Sequence, residues 1–276
     1  MKNFKNHIQN LLTPARIIAF QNKILQRYDE NKREWLPRRD SFDQYKVLVS
    51  ETMLQQTQVD RVIPKFQDFI EQLPSLQDLA QTDKTTLLRL WSWLWFNSRA
   101  IRLQQSAQII IDTYHGVLPK EREILRRLPW IWSYCSASLL AFVYNIDAPV
   151  VDTNIRRVFI AELGIEQTMP LKWLETVALL VSPSWKANDR NNALMDYGAC
   201  VATVAATWIK PRSKQSPFAW SNRQIRWRIM KYLIEHNNAT YKQLSMLFMH
   251  KNFDTIVQQL LVEWLIVKKW NHLSIE

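Results

Sequence analysis

Glycine is nearly missing from this chain: three residues in 276, where an ordinary usage of about 7% would give about 19. Helices need little glycine, but turns and helix C-caps do, so the deficit calls for an explanation. Cysteine is scarce as well. Cys135 and Cys200 are the only two, which excludes a disulfide framework and fits a reducing compartment. No apolar run approaches the roughly 18 residues of a membrane span. The opening MKNFKNHIQN lacks the apolar core of a signal peptide. The expectation is a soluble, cytoplasmic protein with no membrane contact. Acids are the minority charge, 25 Asp+Glu against 36 Lys+Arg, for a net charge of +11. Such a balance favours an anionic partner, most often nucleic acid, against the blander reading of a generally basic soluble protein. Residues 203–276 hold 11 Lys+Arg and 4 Asp+Glu, so +7 of the +11 lies there.

What is abundant is helix pattern. Residues 14–31 place Ile17, Ile18, Phe20, Ile24, Leu25 and Tyr28 on one helical face, and residues 44–55 read as a buried helix. Further helical patterns fall at 58–72, 75–81, 84–92, 98–114, 133–143 and 172–206. Nothing in the first two hundred residues alternates as strands do, so this part is expected to be all-α. The polar linker KPRSKQSP (210–217) predicts a domain boundary. Beyond it come three short helical patterns at 224–236, 241–250 and 253–263, with Thr240 as an N-cap for the second. Leu265-Ile266-Val267 and Leu273-Ser274-Ile275 flank a polar turn, as a β-hairpin would. Three helices and a hairpin resemble a winged helix, a common DNA-binding module. A helical tail packed on the core is the alternative.

Two stretches carry candidate chemistry. In YKVLVSETMLQQ the single acid, Glu51, sits among Val47, Leu48, Val49, Met53 and Leu54. A carboxylic acid in apolar surroundings holds its proton nearer neutral pH, because burial disfavours the charged form. Taken alone, such a residue is more often half-exposed or paired. The second stretch is Leu128 to Asn154, LPWIWSYCSASLLAFVYNIDAPVVDTN. Leu128-Pro129 ends one helix, Ser133 to Val143 forms the next, and an extended Ala148–Val151 delivers Asp152 to the start of another. Alone, Asp152 reads as an ordinary N-cap.

Helix, hairpin, helix, then an acid: this order resembles the helix-hairpin-helix DNA glycosylases. Together with SETMLQQTQV (50–59), LW-x-x-L-x-x-x-x-R over Leu90 to Arg99, and MDYGA (195–199), it resembles the adenine glycosylases of the MutY family over roughly residues 15–215. The resemblance implies a mainly α, two-lobed helix-hairpin-helix glycosylase core over 1–217, with 46–145 as one lobe and the flanking segments as the other. A small winged-helix-like module follows at 218–276. It implies an enzyme, a monofunctional DNA N-glycosylase, that removes adenine opposite guanine or 8-oxoguanine in base excision repair. Its partner would be double-stranded DNA with a mismatched or damaged pair, bound by a monomer associated with the nucleoid. Glu51 would protonate a ring nitrogen of the departing adenine, and Asp152 would stabilise the sugar cation, as paired acids do in glycosidases. Tyr134 stands where lyase relatives have a Schiff-base lysine, and would assist at the sugar. Gln55 and Arg99 belong to the matched motifs at the DNA side. Gln56 and Phe96 would wedge into the base stack, since the target base must leave the helix. The hairpin Leu128, Trp130, Trp132, Ser133 would offer backbone N–H groups to a phosphate, and Asn154 would position Asp152 or the backbone. A glycosylase for another mismatch, or a non-catalytic DNA-binding protein, are the alternatives.

Three departures from the family pattern stand out. No iron–sulfur cluster is expected, because the four thiolates it needs reduce here to Cys200, with Ala202 where the first ligand would fall. Leu36-Pro37-Arg38-Arg39 lacks an aromatic that the family places near the adenine pocket. The basic 218–276 segment occupies the place of the long domain with which many members read oxidised guanine.

The thirteen tryptophans bring the argument back to glycine. Trp93, Trp95, Trp130 and Trp132 stand at family glycine positions, Trp220 and Trp227 in a linker region where relatives have glycine, and Trp270 in a hairpin turn. Two readings are open. Either UGA codons that the lineage reads as glycine lie at these sites, or the chain is a genuine Trp-substituted, inactive homologue.

Overall fold

The computed structural model describes residues 8, 10–33, 39, 42–92, 94, 96–182, 187–212 and 217–275. Trp93, Trp95 and Leu36-Pro37-Arg38, singled out above, lie outside the described residues. The helices in chain order are α1 Pro14–Asn31, α2 Gln44–Leu54, α3 Val59–Gln72, α4 Leu76–Gln81, α5 Lys84–Leu90, α6 Ser98–Tyr114, α7 Arg122–Leu125, α8 Ser133–Tyr144, α9 Thr153–Leu163, α10 Leu171–Leu180, α11 Ala187–Cys200 and α12 Val204–Thr207. The C-terminal segment runs α13 Asn222–His236, β1 Asn238–Thr240, α14 Tyr241–Leu247, α15 Phe253–Val262, β2 Val267–Lys269 and β3 His272–Ser274. The fold is mainly α, as the patterning predicts. The stretch expected as continuous helix over 172–206 is instead divided among α10, α11 and α12, and the short α7 and β1 were not anticipated.

Local chemistry sets many of the boundaries. Thr13 caps α1 through its hydroxyl and Pro14 occupies the first turn, where a missing N–H costs nothing. Ser75 and Asp78 form a capping box on α4. Asp83 accepts the Thr86 N–H at 2.9 Å at the start of α5, and the Thr86 hydroxyl, with that N–H second, holds its carboxyl below the usual range by favouring the ionised form.

The chain forms two compact units. The first contains Met1–Glu51, Pro119–Arg127 and Ile131–Ser213; the second contains Thr52–Leu118, Leu128–Trp130 and Lys214–Glu276. In the first, α11 is the hub, packed by α1, α8 and α9. Its sequence ANDRNNALMDYGAC looks like a surface helix, yet Asn188, Arg190, Asn191, Asn192 and Asp196 are all buried. Buried polar groups must be paired, and these are: Asn192 donates to Asn188 at 2.6 Å, Arg190 meets Asp147 at 2.7 Å, and Asp196 accepts from Arg33 at 2.6 Å and Arg39 at 2.5 Å. Gly198 permits the closest approach, since a Cβ there would lie 2.8 Å from the Asn154 carbonyl oxygen.

In the second unit, α4 and α5 pack on α6 around Leu79, Leu87, Leu88, Trp91 and Leu94, all without solvent exposure. Each such side chain contributes about 1.5–3 kcal/mol by burial. Trp91 meets Phe69 edge-on at 5.9 Å. The C-terminal segment has the winged-helix order, three helices with a three-stranded antiparallel sheet β1-β3-β2. Thr240 caps α14 in a capping box with Gln243, and α13 packs on α5. The lobe expected over 46–145 is therefore represented in this unit by 52–118 and 128–130, together with the C-terminal segment.

Candidate active site

Glu51 lies on α2 with 2% of its surface exposed. Its neighbours on the helix, Val47, Leu48, Val49 and Met53, are buried too. Most of the helix around it is buried, which shields the carboxyl from bulk water. Tyr134, on the second residue of α8, donates its hydroxyl to Glu51 Oε2 at 2.9 Å. This joins two residues 83 positions apart that sequence reasoning had selected separately. The phenol orients the carboxyl, and it has no amine with which to form a Schiff base.

Asp152 caps α9. Its Oδ1 accepts the Ile155 N–H at 2.6 Å and its Oδ2 accepts from Asn154 Nδ2 at 3.1 Å. Asn154 is itself held, because Arg157 donates to its Oδ1 at 2.7 Å. The same guanidinium donates to the carbonyls of Gly198, at 2.7 Å, and Ala202. Arg157 was not identified from the sequence. Its only sequence signal is a position five residues after the aspartate. Burial pulls its pKa down, and the nearby Asp152 charge opposes that shift. The result is a carboxylate with both oxygens engaged by donors that α9 and α11 fix in place. A group held in this way can stabilise a positive centre without reorganising.

At the hairpin, the structure changes some expected roles. Leu128 is buried, so only its backbone can serve a ligand. The Ser133 hydroxyl is committed to Glu175 Oε1 at 2.6 Å, and Arg122 bonds both Ser133 Oγ, at 2.8 Å, and Glu175, at 2.7 Å. Arg122 and Glu175 lack any motif and were missed. Trp132 is the extended N-cap of α8 with no side-chain capping bond, and it is 62% exposed. Trp130 has a left-handed backbone, φ 68°. Its indole N–H donates to Gln55 Oε1 at 2.5 Å and Arg102 lies 4.4 Å from its ring centre.

Arg99 requires a correction. It was expected at the DNA side but is 1% exposed, and no phosphate can reach it. Its guanidinium donates to the carbonyls of Thr52 (2.9 Å), Met53 (3.1 Å), Gln55 (2.5 Å) and Leu94 (2.5 Å). It thereby ties the end of α2 to the turn before α6. Gln56 and Phe96 project from these two tied loops, both in left-handed conformations, φ 58° and 50°, and both exposed. They share the rim of a cavity of about 540 Å³ with Arg61, Arg223, Trp227 and Glu263.

The cluster that the family resemblance implies does not fit this chain. Cys135 is buried on α8 and Cys200 is exposed at the end of α11, and two thiolates cannot supply a four-thiolate ligand set. Among the described residues no group of three or more His, Cys, Asp or Glu side chains is placed to hold a metal ion.

Comparison with known proteins identifies the family. The pattern of the family described as "HhH-GPD superfamily base excision DNA repair protein" matches residues 49–177, which include Glu51, Tyr134 and Asp152. The adenine DNA glycosylase of Mycolicibacterium smegmatis is 35% identical over 208 residues, 75% of this chain and 68% of that protein. The adenine DNA glycosylase of Buchnera aphidicola subsp. Schizaphis graminum is 28% identical over 92% of this chain and 80% of its own length. For the human adenine DNA glycosylase the identity is 33%, and the chain spans 37% of its length. Among solved structures, a thermostable thymine-DNA glycosylase shares the fold at a TM-score of 0.62, with 24% identity over 68% of this chain and 88% of that one. Endonuclease III in a non-covalent complex with DNA does so at 0.62, with 15% identity over 75% and 93%. The hairpin, the buried glutamate and the capped aspartate lie inside the matched stretch, and the chain belongs to the adenine DNA glycosylase family within the HhH-GPD superfamily.

Proposed function

We propose that this protein excises adenine from mispaired duplex DNA by hydrolysing its N-glycosidic bond. The observation that carries the reading is the hydrogen bond that Tyr134 donates to the buried Glu51, which orients an acid set among the apolar helix neighbours Val47, Leu48, Val49 and Met53. Adenine is a poor leaving group. The Glu51 carboxyl donates its proton to a ring nitrogen of the flipped base as the bond to the sugar breaks. Positive charge then develops on the sugar, and Asp152, oriented by Asn154 and the Ile155 N–H, stabilises it until water adds. Tyr134 at the lyase-lysine position supports a monofunctional glycosylase that leaves an abasic site uncut. The step requires no metal and no cluster.

The partner is double-stranded DNA, and the base opposite adenine is proposed to be guanine or 8-oxoguanine. Single-turnover excision on A:G, A:8-oxoguanine and T:G duplexes tests the reading. Adenine release without strand scission, until alkali is added, is the expected result. Thymine release, or no release from any of the three, would overturn it.

A further inference from the structure

Among the described residues ten non-glycine positions have a left-handed backbone, and five of them are tryptophan: Trp130, Trp208, Trp220, Trp264 and Trp270, with φ between 56° and 68°. Tryptophan makes up only 13 of 276 residues. A bulky side chain in this region is a genuine outlier, whereas asparagine and histidine, also present at Asn145, Asn237 and His115, are the usual exceptions.

Each of the five is a recognisable glycine slot. Trp264 follows α15 in a complete Schellman motif: its own N–H bonds the Leu261 carbonyl, and the next N–H, of Leu265, bonds that of Leu260, both at 3.0 Å. The residue between those two bonds is glycine in most such motifs. Trp270 is the first central residue of the two-residue hairpin between β2 and β3, where Lys269 pairs with His272. A positive φ there defines a turn that takes glycine at that position. Trp220 is the third residue of a turn closed by the Ser221 N–H to the Phe218 carbonyl at 3.1 Å, again a glycine position. Trp208 ends α12 in the left-handed conformation, with its N–H on the Val204 carbonyl at 2.8 Å. Trp130 turns the hairpin. The side chains offer no reason to be there: Trp208, Trp220, Trp264 and Trp270 are 73–92% exposed. By contrast Trp91 is fully buried in the right-handed region, and Trp173 and Trp227 lie within helices. The glycines that remain include Gly116 and Gly164, at φ 79° and 70°, with the same geometry as the five.

We infer that codons 130, 208, 220, 264 and 270 are UGA triplets which the native translation machinery reads as glycine, so the native protein carries glycine at all five. One cause then accounts for the five backbone angles, and it narrows both the glycine deficit and the tryptophan excess. The structure also revises the list that the family pattern suggested. Trp208 and Trp264 enter it, while Trp227, inside α13, and Trp132, at φ −88°, have backbones that any residue adopts. The inference does not depend on the glycosylase reading.

The gene and the native protein together provide the test. The five codons are expected to be UGA while those of Trp91 and Trp173 are UGG. Peptides of the protein purified from its own cells should be lighter at each of the five sites by the difference between an indolylmethyl group and a hydrogen. A UGG codon at any of the five, or a native peptide that retains the indole mass there, overturns the common cause.

Discussion

The two compact units solve the problem of polar groups in opposite ways. In the unit with Glu51 and Asp152, charged and amide side chains are buried and cross-linked between distant segments: Tyr134 to Glu51, Arg157 to Gly198 and Ala202, Arg39 to Asp196. In the other unit the described interior is mostly apolar, with Arg99, Thr52 and Ser106 among its buried polar residues, and much of the polar work is done by caps and turns. Chemistry that needs a fixed acid therefore sits where hydrogen bonds over-determine it. The unit built on turns depends instead on backbone freedom at single residues. The first kind of order is sensitive to the loss of a donor or a proton. The second is sensitive to which residue occupies a turn.

The sharpest way to break the comparison is Glu51→Gln. The amide keeps the shape and can still accept from Tyr134, but it has no proton to give. Adenine release in single turnover should fall by about 10²–10⁴-fold, while duplex affinity and thermal stability stay close to those of the parent. Excision at the parental rate would remove Glu51 from the chemistry and leave it a buried structural residue.

Asp152→Asn separates the capping role that the structure shows from the role proposed at the sugar. Asparagine caps a helix about as well as aspartate, so the melting temperature should barely move. The charge proposed to stabilise the sugar cation is lost, and excision should slow by about 10²–10³-fold. Should the variant lose stability and keep its rate, the capping role would be the whole of its function.

Much of this arrangement could be read from the residues, and the reasons for what could not are physical. Helix boundaries at Thr13, Ser75, Asp83, Asp152 and Thr240 follow from local caps, which sequence displays directly. Glu51 and Asp152 stood out because motifs surround them. Arg157, Arg122 and Glu175 did not, since their partners come from other helices and no local pattern records a tertiary bond. Arg99 was misplaced for the same reason: its motif suggests a place at the DNA side, and only tertiary burial shows four carbonyls around it. The buried face of α11 was unreadable because its polar residues are satisfied by partners up to 163 positions away.

Gly198→Ala probes how tightly the aspartate's support is packed. The added methyl would meet the Asn154 Cβ and carbonyl oxygen at 2.8 Å, and those are backbone-anchored atoms of α9 that cannot rotate aside. Separation of α9 from α11 should cost about 1–3 kcal/mol of stability, as overpacking does, measured by denaturant melts. Excision should also slow, because Asn154 carries the Asp152 hydrogen bond. A variant with parental stability and rate would mean that α9 shifts freely, and that the network around Arg157 does not fix the acid.

The smallest expected effect lies in the other unit, at the strand that leads into the hairpin turn. Lys268 and Lys269 on β2 are exposed, in a segment that holds most of the chain's excess positive charge. If the module tracks a DNA backbone, each lysine that neutralises a phosphate releases counterions, and the slope of log affinity against log salt changes by about 0.9 per contact. Replacing both by glutamine should therefore flatten that slope by one to two such contacts, about 1–2 in the slope, without changing the excision rate at saturating duplex. The surrounding fold should be indifferent, since neither side chain is buried. A double variant with the parental slope would assign the basic hairpin to solubility. A lower rate at saturating DNA would instead tie the turn-built unit to the chemistry of the acid-bearing one, and the contrast drawn between them would fail at that point.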